Sequence, residues 1–132
     1  KRLNPLAIET LERAAAEASG QSILSALRED LLNEITAELG VARFMDAIAG
    51  VDNLDGASKI ERGKELMSRL GGKDRSFVLI GDSLHDKEVA DELGIASVLC
   101  AQGSHAFWRL SRVAPTGKDL REALDIALNF LI

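Results

Sequence analysis

The sequence predicts an α/β fold in which helices cover both faces of a parallel sheet. Two observations indicate this class. Segments whose apolar residues recur at helical spacing alternate along the chain with short apolar segments of strand length. The strongest short segment, residues 77–80, is apolar at every position, which is typical of a strand buried on both faces. Such an alternation favours a parallel sheet whose strands are joined by right-handed crossovers.

The first half of the chain begins with a helix. Pro5 suits a first helical turn, and Gly20 marks the end of the segment. In the second helix, apolar residues recur every four positions from Leu31 to Leu39, and Gly40 is a stop signal. The elements predicted in this half are a helix at 5–18, a strand at 22–25, a helix at 30–39 and a strand at 46–51.

The second half has clearer boundaries. Ser58 and Glu61 form a capping box that opens a helix, and Gly71 and Gly72 close it. Gly94 ends the next helix, and a last amphipathic helix completes the chain. The elements predicted in this half are a helix from 58 to about 70, a strand at 77–80, a helix at 86–93, a strand at 95–101 and a helix at 118–131.

Length and composition predict one globular domain spanning residues 1–132, since 132 residues build one core but not two. The apolar runs are far shorter than the roughly 20 residues that span a bilayer, and no signal peptide is expected. The net charge of −5, with dispersed Lys and Arg, argues against a nucleic-acid partner. The single cysteine, Cys100, is interpreted as a small buried hydrophobe and fits a cytoplasmic protein. Phe107 and Trp108 are interpreted as packing residues.

Candidate site residues follow the predicted strands, because ligands of open parallel sheets bind beyond the carboxyl ends of the strands. Asp82 and Asp86 stand four residues apart, one at a strand exit and one near the next helix start. Two such carboxylates can reach one magnesium ion, which prefers oxygen ligands. Gly81 allows the backbone to approach the site closely. The alternative is that Asp82 or Ser83 only caps the helix.

Two further positions suit a phosphate group. Ser25 ends a strand and could donate to a phosphate oxygen, or it could be an ordinary turn serine. Lys59 occupies the first helical position, where a cation opposes the helix dipole, and such an exception points to function. The alternatives are a solvated surface lysine at this position, or Lys64 in the same role one turn later.

The order of these motifs resembles the second half of a haloacid dehalogenase (HAD) superfamily hydrolase, nearest to the phosphoglycolate phosphatase branch. The segments that carry the resemblance are 23–25, 44–48, 58–59, 77–86 and 98–103. The resemblance implies a Rossmann-like core that lacks its first, central strand and the cap domain, which sets substrate selectivity in that family. The chain would then be the C-terminal part of the core domain.

The resemblance also implies roles for single residues. Asp82 and Asp86 match the acidic motif that holds Mg²⁺. Ser25 matches the hydroxyl motif that binds the transferred phosphoryl group. Lys59 matches the catalytic lysine that steadies phosphate and nucleophile. Phosphoryl transfer depends on positioning and on neutralising charge, which such a set of groups supplies.

The family's nucleophilic aspartate has no counterpart in the chain. Residues 52–56 contain two aspartates, but their spacing and the strand they follow differ from those of the family's Asp-x-Asp motif. We therefore interpret the likeness to that motif as superficial. Without the strand that bears the nucleophile, two inner strands would have unpaired edges. We therefore expect a parent protein of about 200–230 residues, and the 132-residue chain by itself to be inactive. Otherwise the two strands pair directly, or a homodimer or a strand-completing partner segment fills the gap.

The leading hypothesis is a parent enzyme that hydrolyses small phosphorylated metabolites with Mg²⁺, through an aspartyl-phosphate intermediate. The alternative is a non-catalytic HAD-like module that binds phosphate or a partner protein. An apolar strand ending in Asp-x-Asp upstream of Lys1 would favour the enzyme. A receiver-like or nucleotide-binding domain is disfavoured, since no glycine-rich loop follows the first strand.

Overall fold

A computed structural model describes residues 5–18, 20–51, 59–72, 75–101 and 103–131. Backbone contacts group the chain into two compact units, residues 1–75 and 76–132. Both units are parallel α/β structures, so the predicted fold class is confirmed. That the two units make up one domain stays a prediction.

The first unit contains a two-stranded parallel sheet, β1–β2. Helices α2 and α3 pack against both strands. Leu32 of α2, Ala49 of β2 and Leu66 of α3 are among its buried residues, so the apolar faces of these helices are turned to the sheet. Its elements are α1 (Pro5–Glu17), β1 (Ser22–Arg28), α2 (Glu29–Glu38), a 3₁₀ turn (Ala42–Phe44), β2 (Ala47–Val51) and α3 (Lys59–Arg69).

Strand β1 is longer than predicted and loses its regular pairing halfway. Residues Ser22 to Leu24 pair in step with β2, and pairing resumes only at Arg28, opposite Val51. Four steps along β1 thus correspond to two steps along β2 between these pairs, which is an extended bulge. The predicted strand, residues 22–25, ends where the regular pairing ends, because the bulge itself carries no sequence pattern.

The second unit contains a three-stranded parallel sheet in the order β3–β4–β5. Helices α4 and α6 pack on β3 and β4, and α5 contacts β4 and β5. The sequence did not indicate α5 or the two-residue β5. The elements are β3 (Val78–Gly81), α4 (Leu84–Leu93), β4 (Ala96–Cys100), α5 (Ser104–Ser111), β5 (Thr116–Gly117) and α6 (Leu120–Phe130).

The strand buried on both faces is β4, not β3. Val98 packs with Ala123 and Ala127 of α6, whereas its neighbour Leu99 packs with Leu110 of α5. Successive side chains of a strand point to opposite faces, so these two clusters cover β4 from both sides. Every residue of β3 is only half-buried, because β3 is the edge strand of this sheet. The prediction that residues 77–80 form a strand buried on both faces was therefore wrong.

Each sheet ends on a strand with an unpaired edge. Within the described ranges, β1 pairs only with β2, and β3 pairs only with β4. These are the two strands that the sequence predicted to border a missing strand. That prediction requires β1 and β3 each to have an open edge with unpaired N–H and C=O groups.

Candidate functional site

The turn after β3 is built by a capping box. Ser83 is the N-cap of α4 with extended backbone, and its Oγ accepts a hydrogen bond from the Asp86 backbone N–H at 3.3 Å. In return, the Asp86 carboxylate accepts from the Ser83 N–H at 3.2 Å. The capping alternative raised from the sequence is therefore correct for Ser83, whereas the Asp82 side chain is exposed beside the cap.

The Asp86 carboxylate is turned back toward the end of β3. Its Oδ2 also accepts from the Asp82 N–H at 2.9 Å and from the Ser83 hydroxyl at 3.1 Å. Gly81 makes this approach possible, since a Cβ at that position would collide with Cβ, Cγ and Oδ2 of Asp86. The structure thus brings Asp82 and Asp86 into one turn at the carboxyl end of a parallel strand, as the sequence predicted. Three donors fix the orientation of Asp86.

The donor set of this turn fits magnesium better than a transition metal. Magnesium takes oxygen ligands and usually only one or two protein carboxylates, leaving places for water and phosphate. Across the residues that the structure describes, no group of three or more His, Cys, Asp or Glu side chains could hold a metal ion, as a structural zinc site would require. Asp82 and Asp86 are the residues that would hold Mg²⁺. Because Oδ2 of Asp86 already accepts three bonds, the exposed Asp82 carboxylate is the more accessible of the two.

Ser25 lies where β1 leaves its regular pairing with β2. It directly follows Leu24, the last residue in step with Ala49. Its Oγ accepts a hydrogen bond from the Leu27 N–H at 3.1 Å, so the hydroxyl supports the bulge. This is the turn role foreseen as the alternative. An accepting hydroxyl retains its proton for donation, so the bond is compatible with a phosphate contact.

Lys59 is the first residue of α3, as the sequence predicted. Ser58, the expected cap, lies outside the described residues. Glu61 in the same first turn is favourable to the helix dipole, whereas the Lys59 charge opposes it. Ser25 and Lys59 both belong to the first unit, and α3 packs against β1 and β2. That this pair meets the Asp82–Asp86 pair at one site stays a prediction.

Sequence reasoning missed the acidic surroundings of Cys100. Sheet register aligns Gly81 with Leu99, and Cys100 with Gly117, so the three strands end at one level. Burial, and then the negative charges of Asp119 and Asp82, raise the pKa of the Cys100 thiol. Asp119 is the N-cap of α6 and accepts from the Glu122 N–H at 2.8 Å. The Asp119 and Glu122 pair, three residues apart, is the capping signal that sets the start of the predicted helix 118–131 at Leu120.

The aromatic residues after β4 behave differently from each other. Phe107 packs against the Leu99 cluster, and the Lys118 ammonium lies 5.7 Å from the centre of its ring. Trp108 is 69% exposed, so the prediction that it is a packing residue was wrong. Both are on α5, and successive side chains of an α-helix lie about 100° apart, so Phe107 can face the sheet while Trp108 faces solvent.

Among the described residues, no helix combines the length and the apolar character needed to cross a membrane.

One family model and several solved structures resemble the chain. Residues 62–124, just under half of the chain, match the Hydrolase_like family, described as HAD-hydrolase-like. No curated protein sequence matches the chain.

The solved structures share its fold at low sequence identity. A presumed β-phosphoglucomutase from Thermotoga maritima has a TM-score of 0.78 and 18% identity, covering 98% of this chain and 62% of that protein. A presumed phosphoglycolate phosphatase from Lactobacillus delbrueckii subsp. bulgaricus has a TM-score of 0.75 and 19% identity. The match covers 94% of this chain and 52% of that protein. A HAD-superfamily hydrolase from Ehrlichia chaffeensis has a TM-score of 0.71 and 22% identity. The match covers 98% of this chain and 57% of that protein.

The chain thus spans between 52% and 62% of the length of these three proteins. The match over residues 62–124 and the shared fold confirm the predicted resemblance of this chain to the haloacid dehalogenase superfamily.

Proposed function

We propose that the full-length protein is a magnesium-dependent phosphatase that hydrolyses phosphate monoesters of small metabolites. The observation that carries the proposal is the turn after β3. There Gly81 admits the Asp86 carboxylate to the strand end, three donors orient it, and Asp82 stands exposed beside it. The similarity to a presumed phosphoglycolate phosphatase and a presumed β-phosphoglucomutase supports a small phosphorylated substrate.

In this proposal Asp82 and Asp86 would hold Mg²⁺, which would supply positive charge next to the phosphate oxygens. The Ser25 hydroxyl would donate a hydrogen bond to a phosphate oxygen, and the Lys59 ammonium would balance charge on the phosphate and the attacking group. The nucleophile is an aspartate on a strand upstream of Lys1. Its carboxylate oxygen bonds to phosphorus while the bond from phosphorus to the ester oxygen breaks, and the ester oxygen takes its proton from the second aspartate of the upstream Asp-x-Asp motif. Water, which gives a proton back to that second aspartate, then hydrolyses the aspartyl-phosphate to aspartate and phosphate.

Within the described residues, β1 and β3 each have an edge that pairs with no other strand, which supports the proposal of a further strand. A parallel strand paired with such an edge would satisfy its open N–H and C=O groups and end on the side of the sheet where ligands of parallel sheets bind.

The test is a screen of small phosphate esters with the full-length protein, with and without Mg²⁺. We expect release of inorganic phosphate that requires Mg²⁺ and stops when EDTA is added. The 132-residue chain, assayed in parallel, is expected to release none. Binding of phosphate without turnover by the full-length protein would contradict the proposal and favour the non-catalytic module.

The Cys100 thiol provides a second measurement that does not depend on activity. Its pKa is raised partly by the Asp82 charge, so a cation held by Asp82 should lower that pKa. At a fixed pH below that pKa, Mg²⁺ should therefore increase the thiolate fraction and speed alkylation by iodoacetamide. Sodium chloride at equal ionic strength is the control for general screening.

The same experiment on Asp82→Asn separates the metal from other effects. The variant is expected to react faster than the unaltered protein without Mg²⁺ and to show no further response when Mg²⁺ is added. Equal alkylation rates of the unaltered protein in Mg²⁺ and in the sodium control would argue against a cation at Asp82.

A further inference from the structure

The side chain of Arg62 joins three elements of the first unit. It is on α3, one turn after Lys59, and only 17% of the side chain is exposed. Its Nε donates to the Gly50 carbonyl oxygen of β2 at 2.6 Å. Its Nη2 donates to Oε2 of Glu29, the first residue of α2, at 2.6 Å. Its Nη1 donates to Oε2 of Glu65 at 2.5 Å.

The acceptors of Arg62 lie at the junction that follows Ser25. Glu29 comes directly after β1, and Gly50 is the fourth residue of β2. A Cβ on Gly50 would lie within 3 Å of the Leu27 carbonyl oxygen and of the Glu29 backbone, so β2 and this junction are in direct contact. Arg62 therefore attaches α3 to the chain segment that leaves the Ser25 bulge.

Residues three apart on a helix share a face, so Arg62 and Lys59 are on the same side of α3. A bond network at Arg62 restricts the translation and rotation of the first turn of α3, and with it the position of the Lys59 backbone. The guanidinium is suited to this, because its three nitrogens donate to three separate acceptors. A lysine side chain has one nitrogen and cannot reproduce these three hydrogen bonds.

We propose that Arg62 is the positioning residue for Lys59: its bonds to Gly50 and Glu29 hold the start of α3 against the end of the Ser25 strand. This role rests on the proposed phosphatase function. In this role Arg62 acts through Lys59, by fixing where the lysine charge is presented. The exposed Glu65 adds little, since exposed ion pairs contribute weakly.

The test is a double-mutant cycle in the full-length protein, with Mg²⁺ and p-nitrophenyl phosphate as substrate. Arg62→Lys keeps the positive charge but replaces the three donor nitrogens of the guanidinium with one. It is expected to lower kcat about tenfold when Lys59 is present, because a displaced charge stabilises the transition state less well. In a Lys59→Met background, the same substitution is expected to change kcat by less than about twofold, because the residue being positioned is absent.

Arg13→Lys is the matched control, since Arg13 forms an exposed pair with Glu17 at 2.6 Å on α1. It is expected to leave kcat unchanged. Thermal unfolding of every variant identifies any loss of fold. If Arg62→Lys does not fold, Glu29→Gln removes one acceptor charge and is expected to give a smaller loss of kcat with the same dependence on Lys59.

The possible outcomes separate the two proposals. Equal losses of kcat with and without Lys59, in folded variants, would overturn the role of Arg62 and leave the phosphatase proposal intact. No hydrolysis by the unaltered full-length protein, across the ester screen, would overturn the phosphatase proposal and the role of Arg62 with it.

Discussion

Replacing Asp82 with asparagine is expected to lower the magnesium-dependent phosphatase activity of the full-length protein by about 100-fold or more. The substitution keeps the size of the side chain and removes the charge that would hold the cation. It should not disturb the turn, because the Asp82 side chain is exposed and the bond to Asp86 comes from the Asp82 backbone N–H. The measurement is the rate of phosphate release as a function of Mg²⁺ concentration.

Glu92→Gln provides the control for loss of a negative charge, because Glu92 is an exposed residue of α4 away from the turn. It is expected to leave both the rate and the Mg²⁺ dependence unchanged. Full magnesium-dependent activity in Asp82→Asn would show that the cation is held elsewhere, and the assignment of this turn would be wrong.

Replacing Gly50 with alanine is expected to cause a large loss of stability. The new Cβ would lie 2.5 Å from the Leu27 carbonyl oxygen and 2.7 Å from Cα of Glu29. These are backbone atoms, so relief requires β2 to move away from the β1–α2 junction. We expect the free energy of unfolding to fall by about 1–3 kcal/mol, as for other overpacked sites, and the Arg62 bond to Gly50 to be lost. Urea denaturation measures the change.

Gly40→Asn is the matched control for a glycine in the same unit. Gly40 has a φ of 74° and nothing lies within 4 Å of a Cβ added there. Asparagine tolerates this left-handed conformation, so a change of only a few tenths of a kcal/mol is expected. A Gly50→Ala variant as stable as this control would show that the junction is less tightly packed than the structure indicates.

The best-predicted part of the chain is the turn after β3. Gly81, Asp82 and Asp86 follow an apolar strand and precede a helix, and this local sequence determines both the turn and the placing of the two carboxylates. Ser83 was open to two interpretations because a serine before a helix is an ordinary cap. Its capping bond to Asp86 is the observed one.

The burial of individual strands was harder to predict because it depends on strand order. Residues 77–80 and 96–100 are both rich in apolar residues, yet β4 is central and β3 is at the edge. Pairing order is a property of the whole sheet, so no local pattern separates the two. The same holds for β5, whose two residues pair with Leu99 and Cys100 without a strand pattern of their own.

The Arg62 network was missed for a related reason. In the sequence, Arg62 is one of several charged residues on an amphipathic helix, and its partners Glu29 and Gly50 are 33 and 12 positions away. Only the folded first unit brings them together. Trp108 shows the reverse error, since a large aromatic residue was expected to be buried and is exposed on α5.

The most direct test of the whole account is a crystal structure of the full-length protein with Mg²⁺ and a phosphate mimic such as tungstate. The account predicts the cation at the carboxylates of Asp82 and Asp86, and the mimic within hydrogen-bonding distance of the Ser25 hydroxyl and the Lys59 ammonium. A cation and mimic bound elsewhere, with these four side chains on separate surfaces, would contradict it.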